Sequence, residues 1–221
     1  MRNIVITTLI LLSTSSLFAE NQRTFNTALK VSTLGVGFDI STPINDKISA
    51  RFNLNGASYT DTQEDGDNEY EGTLELLTAG ILVDYYPFEN NFRLSTGAYY
   101  NGNGFTGSIY PTNKTLISIN ENEYTTADIV SLDSKITFDT VAPYFGIGWG
   151  NDANDKGWGF TFDLGAMYHG VGKANLTANV LNMNLENQIA SDLVLEEENV
   201  NEELKKFKFY PVVSLGVNYT F

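Results

Sequence analysis

The last thirteen residues, Phe209-Tyr210-Pro211-Val212-Val213-Ser214-Leu215-Gly216-Val217-Asn218-Tyr219-Thr220-Phe221, alternate in character and decide the fold. Large apolar side chains take the odd positions, whereas small and polar side chains take most of the even ones. Successive side chains of a β-strand point to opposite faces, so this strand has one apolar face. Such a strand is typical of a membrane barrel, with lipid on one side and a filled polar lumen on the other.

Seven further segments alternate with the same period of two. The rows predicted to face lipid are Phe25-Thr27-Leu29-Val31, Leu34-Val36-Phe38-Ile40, Ile48-Ala50-Phe52-Leu54, Leu77-Ala79-Ile81-Val83-Tyr85, Phe92-Leu94-Thr96-Ala98-Tyr100, Val141-Pro143-Phe145-Ile147-Trp149 and Trp158-Phe160-Phe162-Leu164-Ala166-Tyr168. Each segment is near the roughly 9–11 residues that a tilted spanning strand needs. The predicted fold is therefore all-β, an eight-stranded antiparallel transmembrane β-barrel of the up-and-down type.

The connections between these strands alternate in length. Short turns are predicted at 42–46, 87–91 and 151–156, and long connections around 60–73, 110–135 and 172–208. Short periplasmic turns and long extracellular loops are the rule in outer-membrane barrels. Aromatic residues beside the short turns predict an inner girdle, made of Tyr85, Phe92, Trp149 and Trp158. The first hairpin departs from the rule, because Ser32-Thr33 leaves almost no loop.

The N-terminus reads as an export signal at 1–19, followed by the barrel domain at 20–221. Arg2 provides the positive start, Ile4–Leu12 the short apolar core, and Ala19 a plausible cleavage position. The chain is therefore expected to pass through the periplasm to the cell outer membrane, in contact with its lipid and lipopolysaccharide. The terminal Phe221 resembles the signature that the barrel-assembly machinery reads.

The chain is strongly acidic, with 13 Lys and Arg against 27 Asp and Glu. Loss of Arg2 with the signal leaves 12 basic residues and a net charge of −15. A nucleic-acid partner is excluded, because binding phosphate needs a positive surface. Acidic loops suit repulsion between molecules, binding of divalent cations or attraction of small cationic solutes.

Ionisable residues also occupy the faces predicted to point into the lumen. They are Lys30, Asp39, Arg51, Asp84, Arg93, Asp163 and His169, with Asn53, Asn55, Tyr99 and Asn101 among them. The interior of an eight-stranded barrel is barely wide enough for side chains, and isolated charges there are costly. The set therefore forms either a salt-bridged plug or a narrow polar passage for a cationic or zwitterionic solute.

Catalysis and cofactor binding have little support in the sequence. His169 is the only histidine and cysteine is absent, so no histidine-rich metal site and no cysteine nucleophile can form. The glycines at 102–104 and 146–150 lack the spacing of a phosphate-binding loop. We predict no enzyme, no metal site and no cofactor, and we interpret these glycines as strand positions that leave room in a tight lumen.

Three extracellular segments stand out. The acidic residues 61–69 have the oxygen ligands of a calcium site without the spacing of the helix-loop-helix calcium motif, so they form either a calcium site or a bare acidic loop. Residues 116–124 predict a small hairpin. Residues 185–207 have apolar side chains at helical spacing among many acids, which predicts either a short amphipathic helix over the barrel mouth or an acidic loop.

Several segments resemble the carbapenem-associated outer-membrane protein family, the CarO-type ornithine-uptake porins. They are Val141-Ala142-Pro143-Tyr144-Phe145-Gly146-Ile147-Gly148, Gly157-Trp158-Gly159-Phe160, Asp163-Leu164-Gly165-Ala166-Met167-Tyr168 with Gly170, Phe209-Tyr210-Pro211-Val212 and Gly216-Val217-Asn218; the loop from Ser118-Ile119-Asn120 to Tyr124 is also similar. The resemblance implies a monomeric eight-stranded barrel that takes up ornithine and other basic amino acids.

Two functions therefore follow as hypotheses. The first is a narrow porin for small polar or cationic solutes such as basic amino acids. The alternative is a structural or adhesive surface protein whose extracellular loops bind a partner.

Overall fold

Thirteen strands and one helix occur in the computed structural model, which describes residues 24–65, 68–88, 90–111, 116–150 and 156–221. They are β1 (Asn26–Ser32), β2 (Gly35–Asn45), β3 (Ile48–Asp65), β4 (Asn68–Tyr85), β5 (Phe92–Asn101), β6 (Gly104–Pro111), β7 (Ile117–Ile119), β8 (Asn122–Tyr124), β9 (Ile129–Thr137), β10 (Val141–Trp149), β11 (Gly157–Tyr168), β12 (Lys173–Val180), α1 (Glu186–Leu204) and β13 (Phe209–Thr220). The export signal predicted at 1–19 lies outside the described residues.

Eight of these strands close into a ring of antiparallel neighbours. The order is β1-β2-β3-β4-β5-β10-β11-β13, and β13 then pairs with β1. In that last ladder Asn26 lies opposite Thr220, and Ser32 lies opposite Ser214. A closed ring leaves no unpaired strand edge in hydrocarbon, which is what a spanning sheet requires. The predicted eight-stranded barrel is confirmed.

The two faces of each barrel strand differ as the period of two predicts. On β11, Leu164 is 45% exposed on the outside, whereas Thr161 is 2% exposed in the lumen. The outer face of this strand runs from Trp158 to Tyr168. Ten steps of about 3.3 Å, tilted by roughly 40°, span about 25 Å, the height of the apolar band of such barrels.

The first hairpin corrects one of the predicted lipid-facing rows. Leu34 is 1% exposed and packs inside the barrel mouth, while Val36 and Ile40 of the same row face outward. The turn between β1 and β2 consists of Thr33 and Leu34, so Leu34 is free of the strand alternation. Gly35 follows with φ of +99°, and a Cβ there would collide with the main chain of Gly56.

The predicted turn at 42–46 is shorter than expected. Strand β2 runs to Asn45 and β3 begins at Ile48, so two residues remain between them. The pairing is irregular between Pro43 and Asn45, where a proline cannot donate to the ladder. Pro43 therefore ends the regular part of the ladder without ending the strand.

The long connections predicted at 60–73, 110–135 and 172–208 contain much more strand than we expected. Strands β3 and β4 continue as a hairpin beyond the barrel, and the outer part of β4 pairs with β6 instead of β5. Strand β9 then pairs with β6, and β12 pairs with β9. Since β6 follows β5, β9 precedes β10 and β12 follows β11, this sheet continues the barrel wall outward above those strands. We call it the raised wall.

A helix and a small hairpin cover part of the raised wall. The predicted hairpin is present as β7 and β8, and the acidic segment after β12 forms α1. Their apolar side chains pack on the face of the wall that continues the lumen face. This cluster comprises Ile117, Ile119, Tyr124, Ile129, Ile189 and Leu193, with Leu132, Leu176, Ala178, Val180 and Leu185 packed against it.

Helix α1 also occupies the outer edge of β12. The main-chain N–H of Ala174 donates to Asn201 Oδ1 at 2.8 Å, and that of Leu176 donates to Glu197 Oε2 at 3.0 Å. Residues 197 and 201 are four apart, so both side chains leave the same side of the helix. No helix among the described residues is long and apolar enough to cross a membrane.

The outward face of β11 makes a direct prediction about lipid contact. We expect Leu164→Arg to lower the free energy of unfolding by about 2–4 kcal/mol, because the charge would lie near the bilayer midplane. The control is Thr177→Arg, on the exposed face of β12 above the membrane. Reversible urea unfolding from lipid vesicles measures both. Equal stability of the two variants would contradict the assigned facing.

Candidate functional site

The six charged residues predicted for the lumen come together in one buried ion cluster. It consists of Lys30, Asp39, Arg51, Asp84, Arg93 and Asp163, each at most 4% exposed. They reach it from six different barrel strands, each from a position on the inward face. The formal charges cancel, with three cations against three carboxylates. Mutual pairing is the condition under which charges can be buried so deeply.

Arg51 is the centre of the ion cluster. Its guanidinium donates to Asp84 at 2.8 Å, to Asp163 at 3.2 Å and to Asp39 at 3.3 Å. The hydroxyl of Ser95 accepts from the same guanidinium at 3.1 Å and donates to Asp84 at 2.5 Å. One side chain therefore connects three carboxylates from three strands.

The other two cations complete the network. Lys30 Nζ lies 2.6 Å from Asp39 and 3.0 Å from Asp163. Arg93 donates to Asp163 at 2.5 Å and to the Thr161 hydroxyl at 3.0 Å. Arg93 Nε also lies 3.8 Å from Asp84, so every carboxylate of the cluster contacts two or more cations, and the cluster is a salt-bridged plug.

His169 does not join the ion cluster. It lies just after β11, where its ring is 4.2 Å from that of Phe138 and 6.0 Å from that of Tyr210. Its main-chain N–H donates to Lys208 O at 3.1 Å. It is a buried packing residue at the outer rim. In the described ranges, no group of three or more His, Cys, Asp or Glu is arranged to hold a metal ion.

An apolar layer closes the lumen on the extracellular side of the ion cluster. It consists of Leu34, Leu82, Tyr99, Ala142, Tyr144, Met167 and Val212. The rings of Tyr99 and Tyr144 meet edge to face at a centroid distance of 5.5 Å. A cavity of about 10 Å³ is lined by residues of this layer and of the ion cluster, together with Ser32, Asn53, Asn55 and Ser214, and has room for roughly one water molecule.

The sequence held a signal for this layer that we did not use. Tyr144 lies over Gly146 and Gly165, and Tyr99 lies over Gly80, so closely that a Cβ at any of the three would collide with the ring. At these three positions the missing Cβ leaves space for a large ring that crosses the lumen. Of these three glycines, only Gly146 is among those for which we predicted a role in leaving room, and the ring that fills the space was not predicted.

The raised wall has an uncovered row of apolar side chains that the sequence analysis missed. Tyr59 pairs with Leu74, and Leu74 pairs with Phe105, so the three form a row across β3, β4 and β6. They lie on the face that continues the lumen face, yet they are 49%, 42% and 38% exposed. Helix α1 and the β7–β8 hairpin cover the same face farther along, at β9 and β12.

A buried carboxylate joins helix α1 to the β7–β8 hairpin. Asp192 accepts from the Tyr124 hydroxyl, from Asn122 Nδ2 at 2.9 Å and from Asn120 Nδ2 at 3.3 Å. The hydrogen bond from Tyr124, aided by those from the two asparagines, lowers the pKa of Asp192 against the opposing effect of burial. Burial, and then the bond to Asp192, raises the pKa of Tyr124 to about 12.

Comparison with solved structures places the fold among known barrels. The chain is similar to CarO2 of Acinetobacter baumannii, with a TM-score of 0.59 and 21% identity over 91% of this chain and 100% of that one. It is also similar to CarO of Acinetobacter baumannii, with a TM-score of 0.56 and 17% identity over 89% of this chain and 97% of that one. No protein-family model and no curated protein matches the sequence. The likeness to CarO-type barrels is thus confirmed for the fold, which is that of an outer-membrane β-barrel.

The ion cluster should respond to mutation as a coupled unit. We expect Arg51→Met to lower the free energy of unfolding by about 3–5 kcal/mol, because three carboxylates would then share two cations. Adding Asp84→Asn restores the charge balance, so the double variant should be more stable than the sum of the single changes implies. Urea unfolding in lipid measures this, with the exposed Lys156→Met as control. Additive effects would contradict the coupling.

The Asp192 contact predicts a pH dependence. A carboxyl whose pKa is lowered on folding stabilises the folded form above its unfolded pKa of about 3.9, and this contribution disappears as the pH falls through the folded pKa. We expect amide hydrogen exchange in β7, β8 and α1, corrected for intrinsic rates, to be level between about pH 5 and 9 and faster below about pH 4. Asp192→Asn should weaken the acid dependence, whereas the exposed Glu198→Gln should leave it unchanged. Identical profiles for both variants would contradict this role.

Proposed function

We propose that this chain is an outer-membrane surface-binding protein, in which a closed barrel anchors a raised wall that binds a cationic, partly apolar partner. The observation that carries the proposal is the exposed row of Tyr59, Leu74 and Phe105 above a plugged lumen. Exposed aromatic side chains grouped on one face are typical of binding surfaces.

Two different layers, the apolar layer and the ion cluster, fill the lumen. This filling favours a barrel that serves as an anchor. A solute would have to pass the apolar layer, at or beside the Tyr99–Tyr144 contact, and then separate ion pairs of the cluster such as Lys30–Asp39 and Arg93–Asp163. Breaking buried ion pairs costs several kcal/mol, and the neutral cluster offers a cation no net attraction in return. A partner that binds to the raised wall need neither cross the apolar layer nor break a buried ion pair.

The charge distribution favours a cationic partner. Because the ion cluster is neutral, the excess of carboxylates lies elsewhere in the chain, and α1 alone contains Glu186, Asp192, Glu196, Glu197, Glu198, Glu202 and Glu203. A negative surface attracts cations over several ångströms and speeds their association. Cations also bind well over aromatic faces such as those of Tyr59 and Phe105.

Location in the outer membrane follows from the same proposal. Its support is the apolar outer face of about 25 Å and the aromatic side chains at its inner end. There Trp158 contacts Tyr219 at 5.2 Å between ring centroids, and Tyr219 contacts Phe221 at 4.9 Å. Export by a signal at 1–19 and recognition of Phe221 by the barrel-assembly machinery belong to this proposal.

A narrow porin for basic amino acids is the second candidate. The observation in its favour is the polar surface that continues through the lumen beside the apolar layer, from Lys30 and Asp39 through Asn53 and Asn55 to Thr78. A passage would open along this side if the ion cluster rearranged. An ornithine molecule would then pass directly beside the carboxylate of Asp39.

Binding to the raised wall can be measured with a defined probe. The probe is a fluorescent hexapeptide of alternating lysine and tryptophan, titrated against the protein refolded in neutral phosphatidylcholine vesicles. We expect Phe105→Ser to weaken binding about tenfold, as loss of an aromatic contact of about 1.4 kcal/mol does. Tyr110→Ser is the matched control, since Tyr110 is 40% exposed on the opposite face of the same strand. Equal effects of both changes would contradict the proposal.

Planar-bilayer recording separates the two candidates. An anchor gives no current steps at physiological salt and no uptake of labelled ornithine by vesicles. Steady ion-selective steps whose size changes in Arg51→Met would establish the porin and overturn the anchor.

A further inference from the structure

Basic residues have an uneven distribution on the extracellular side of the barrel. In the described part of that region they are confined to five lysines, Lys135, Lys173, Lys205, Lys206 and Lys208. The hairpin of β3 and β4 beyond the barrel, strands β6, β7 and β8, and helix α1 contain none at their described positions. All five lysines lie close in sequence to the point where a strand leaves or enters the barrel.

Two of these lysines are neighbours on one face of the raised wall. Lys135 of β9 pairs with Asn175 of β12, and Lys173 is two residues from Asn175 on the same face. Diagonal neighbours of this kind are about 7–8 Å apart at Cα, within joint reach of one small anion for long side chains. Both side chains are exposed, and within the described residues neither forms an ion pair.

This face is the one that continues the lipid-facing surface of the barrel. On β4, Leu77 faces lipid. Glu75, two residues earlier on the same face, lies one step farther out, above the membrane. Pairing carries that position across the wall from Glu75 to Gly104, then to Thr137 and finally to Lys173. The opposite face holds Ala174, which is buried beneath α1. Lys173 and Lys135 therefore lie one and two steps above the apolar band, facing away from the barrel axis.

No carboxylate among the described residues forms an ion pair with Lys135 or Lys173, although Asp133 and Asp139 lie two residues from Lys135 and from Thr137, the partner of Lys173. Glu75 is three strands from Lys173, about 14 Å at the usual spacing, which is beyond the screening length at physiological salt. Asp133 lies two residues before Lys135 on the same face; its carboxylate accepts hydrogen bonds from Ser108 at 2.6 Å and Ser131 at 3.1 Å and forms no ion pair with Lys135. Lys205 and Lys206, in contrast, already pair with Glu202 and Glu203.

We propose that Lys135 and Lys173 together bind a phosphate group of the lipid in the outer leaflet, the lipopolysaccharide headgroup layer, and that this contact fixes the raised wall upright on the membrane. The proposal rests on the outer-membrane location given under Proposed function. Lipid is the source of the phosphate because the two ammonium groups face outward at the depth where lipid phosphates lie. Because this contact holds the raised wall upright, the acidic residues in its upper part and in α1 lie away from the anionic headgroups.

The test compares two pairs of lysines at opposite ends of the barrel. The full chain, refolded in neutral detergent, is titrated with diphosphoryl lipid A, and bound lipid is counted by native mass spectrometry. The rim pair Lys135→Gln with Lys173→Gln should bind about thirtyfold more weakly than the wild type, since each lysine at an anionic lipid surface contributes roughly 1 kcal/mol. The control pair is Lys47→Gln with Lys156→Gln, which are exposed at the periplasmic turns and lose the same charge.

Each outcome decides a separate question. Two results together support the proposal. Lipid A binding is lost in the rim pair but not in the control pair, and excess inorganic phosphate does not reduce lipid A binding by the wild type. Unchanged binding in the rim pair, or equal loss in both pairs, overturns it. Competition by inorganic phosphate at millimolar concentration would also overturn it, because the site would then bind free anion. A wild-type chain that fails to insert into any lipid vesicle would refute the proposed location itself.

Discussion

The ladder between β1 and β13 is the contact on which the rest of the molecule depends. It joins the first described strand to the last, and it turns a long sheet into a closed wall. Hydrocarbon offers no partner to a backbone N–H or C=O, so a spanning sheet is stable only without edges. Closure also creates the lumen, and a lumen of eight strands is narrow enough for its side chains to meet. The ion cluster around Arg51 and the apolar layer around Tyr144 are both consequences of that narrowness.

Above the membrane the same sheet is subject to a different constraint. Water satisfies backbone groups, so the wall need not close, and β12 is left as an edge. One face still continues the lumen face, and it is apolar at Leu132, Leu176 and Ala178, where α1 and the β7–β8 hairpin cover it. Only the part formed by β3, β4 and β6 stays uncovered. The barrel thus supplies rigidity, while the raised wall supplies the accessible surface on which our proposals rest.

The sequence predicts the barrel well because lipid imposes a strict alternation on it. Rows such as Trp158 to Tyr168 can be identified from a period of two alone, and the inward charges follow from the same register. Leu34 was placed wrongly because it belongs to a two-residue turn, where alternation no longer applies. The strands of the raised wall were read as loops because one of their faces lies in water and the other is covered only in part, which weakens the alternation. The ion cluster was predicted as a set, but its pairing around Arg51 depends on distances between strands, which no single strand encodes.

The two hydrogen bonds from β12 to helix α1 have a consequence for a crowded cell surface. An edge strand with free N–H groups is a template on which a neighbouring molecule can add a strand of its own. Asn201 and Glu197 occupy that template at Ala174 and Leu176 with side-chain oxygens. A carboxylate there also repels an approaching acidic copy of the same chain. At the β12 edge, a neighbouring molecule is thereby hindered from adding a strand to the wall.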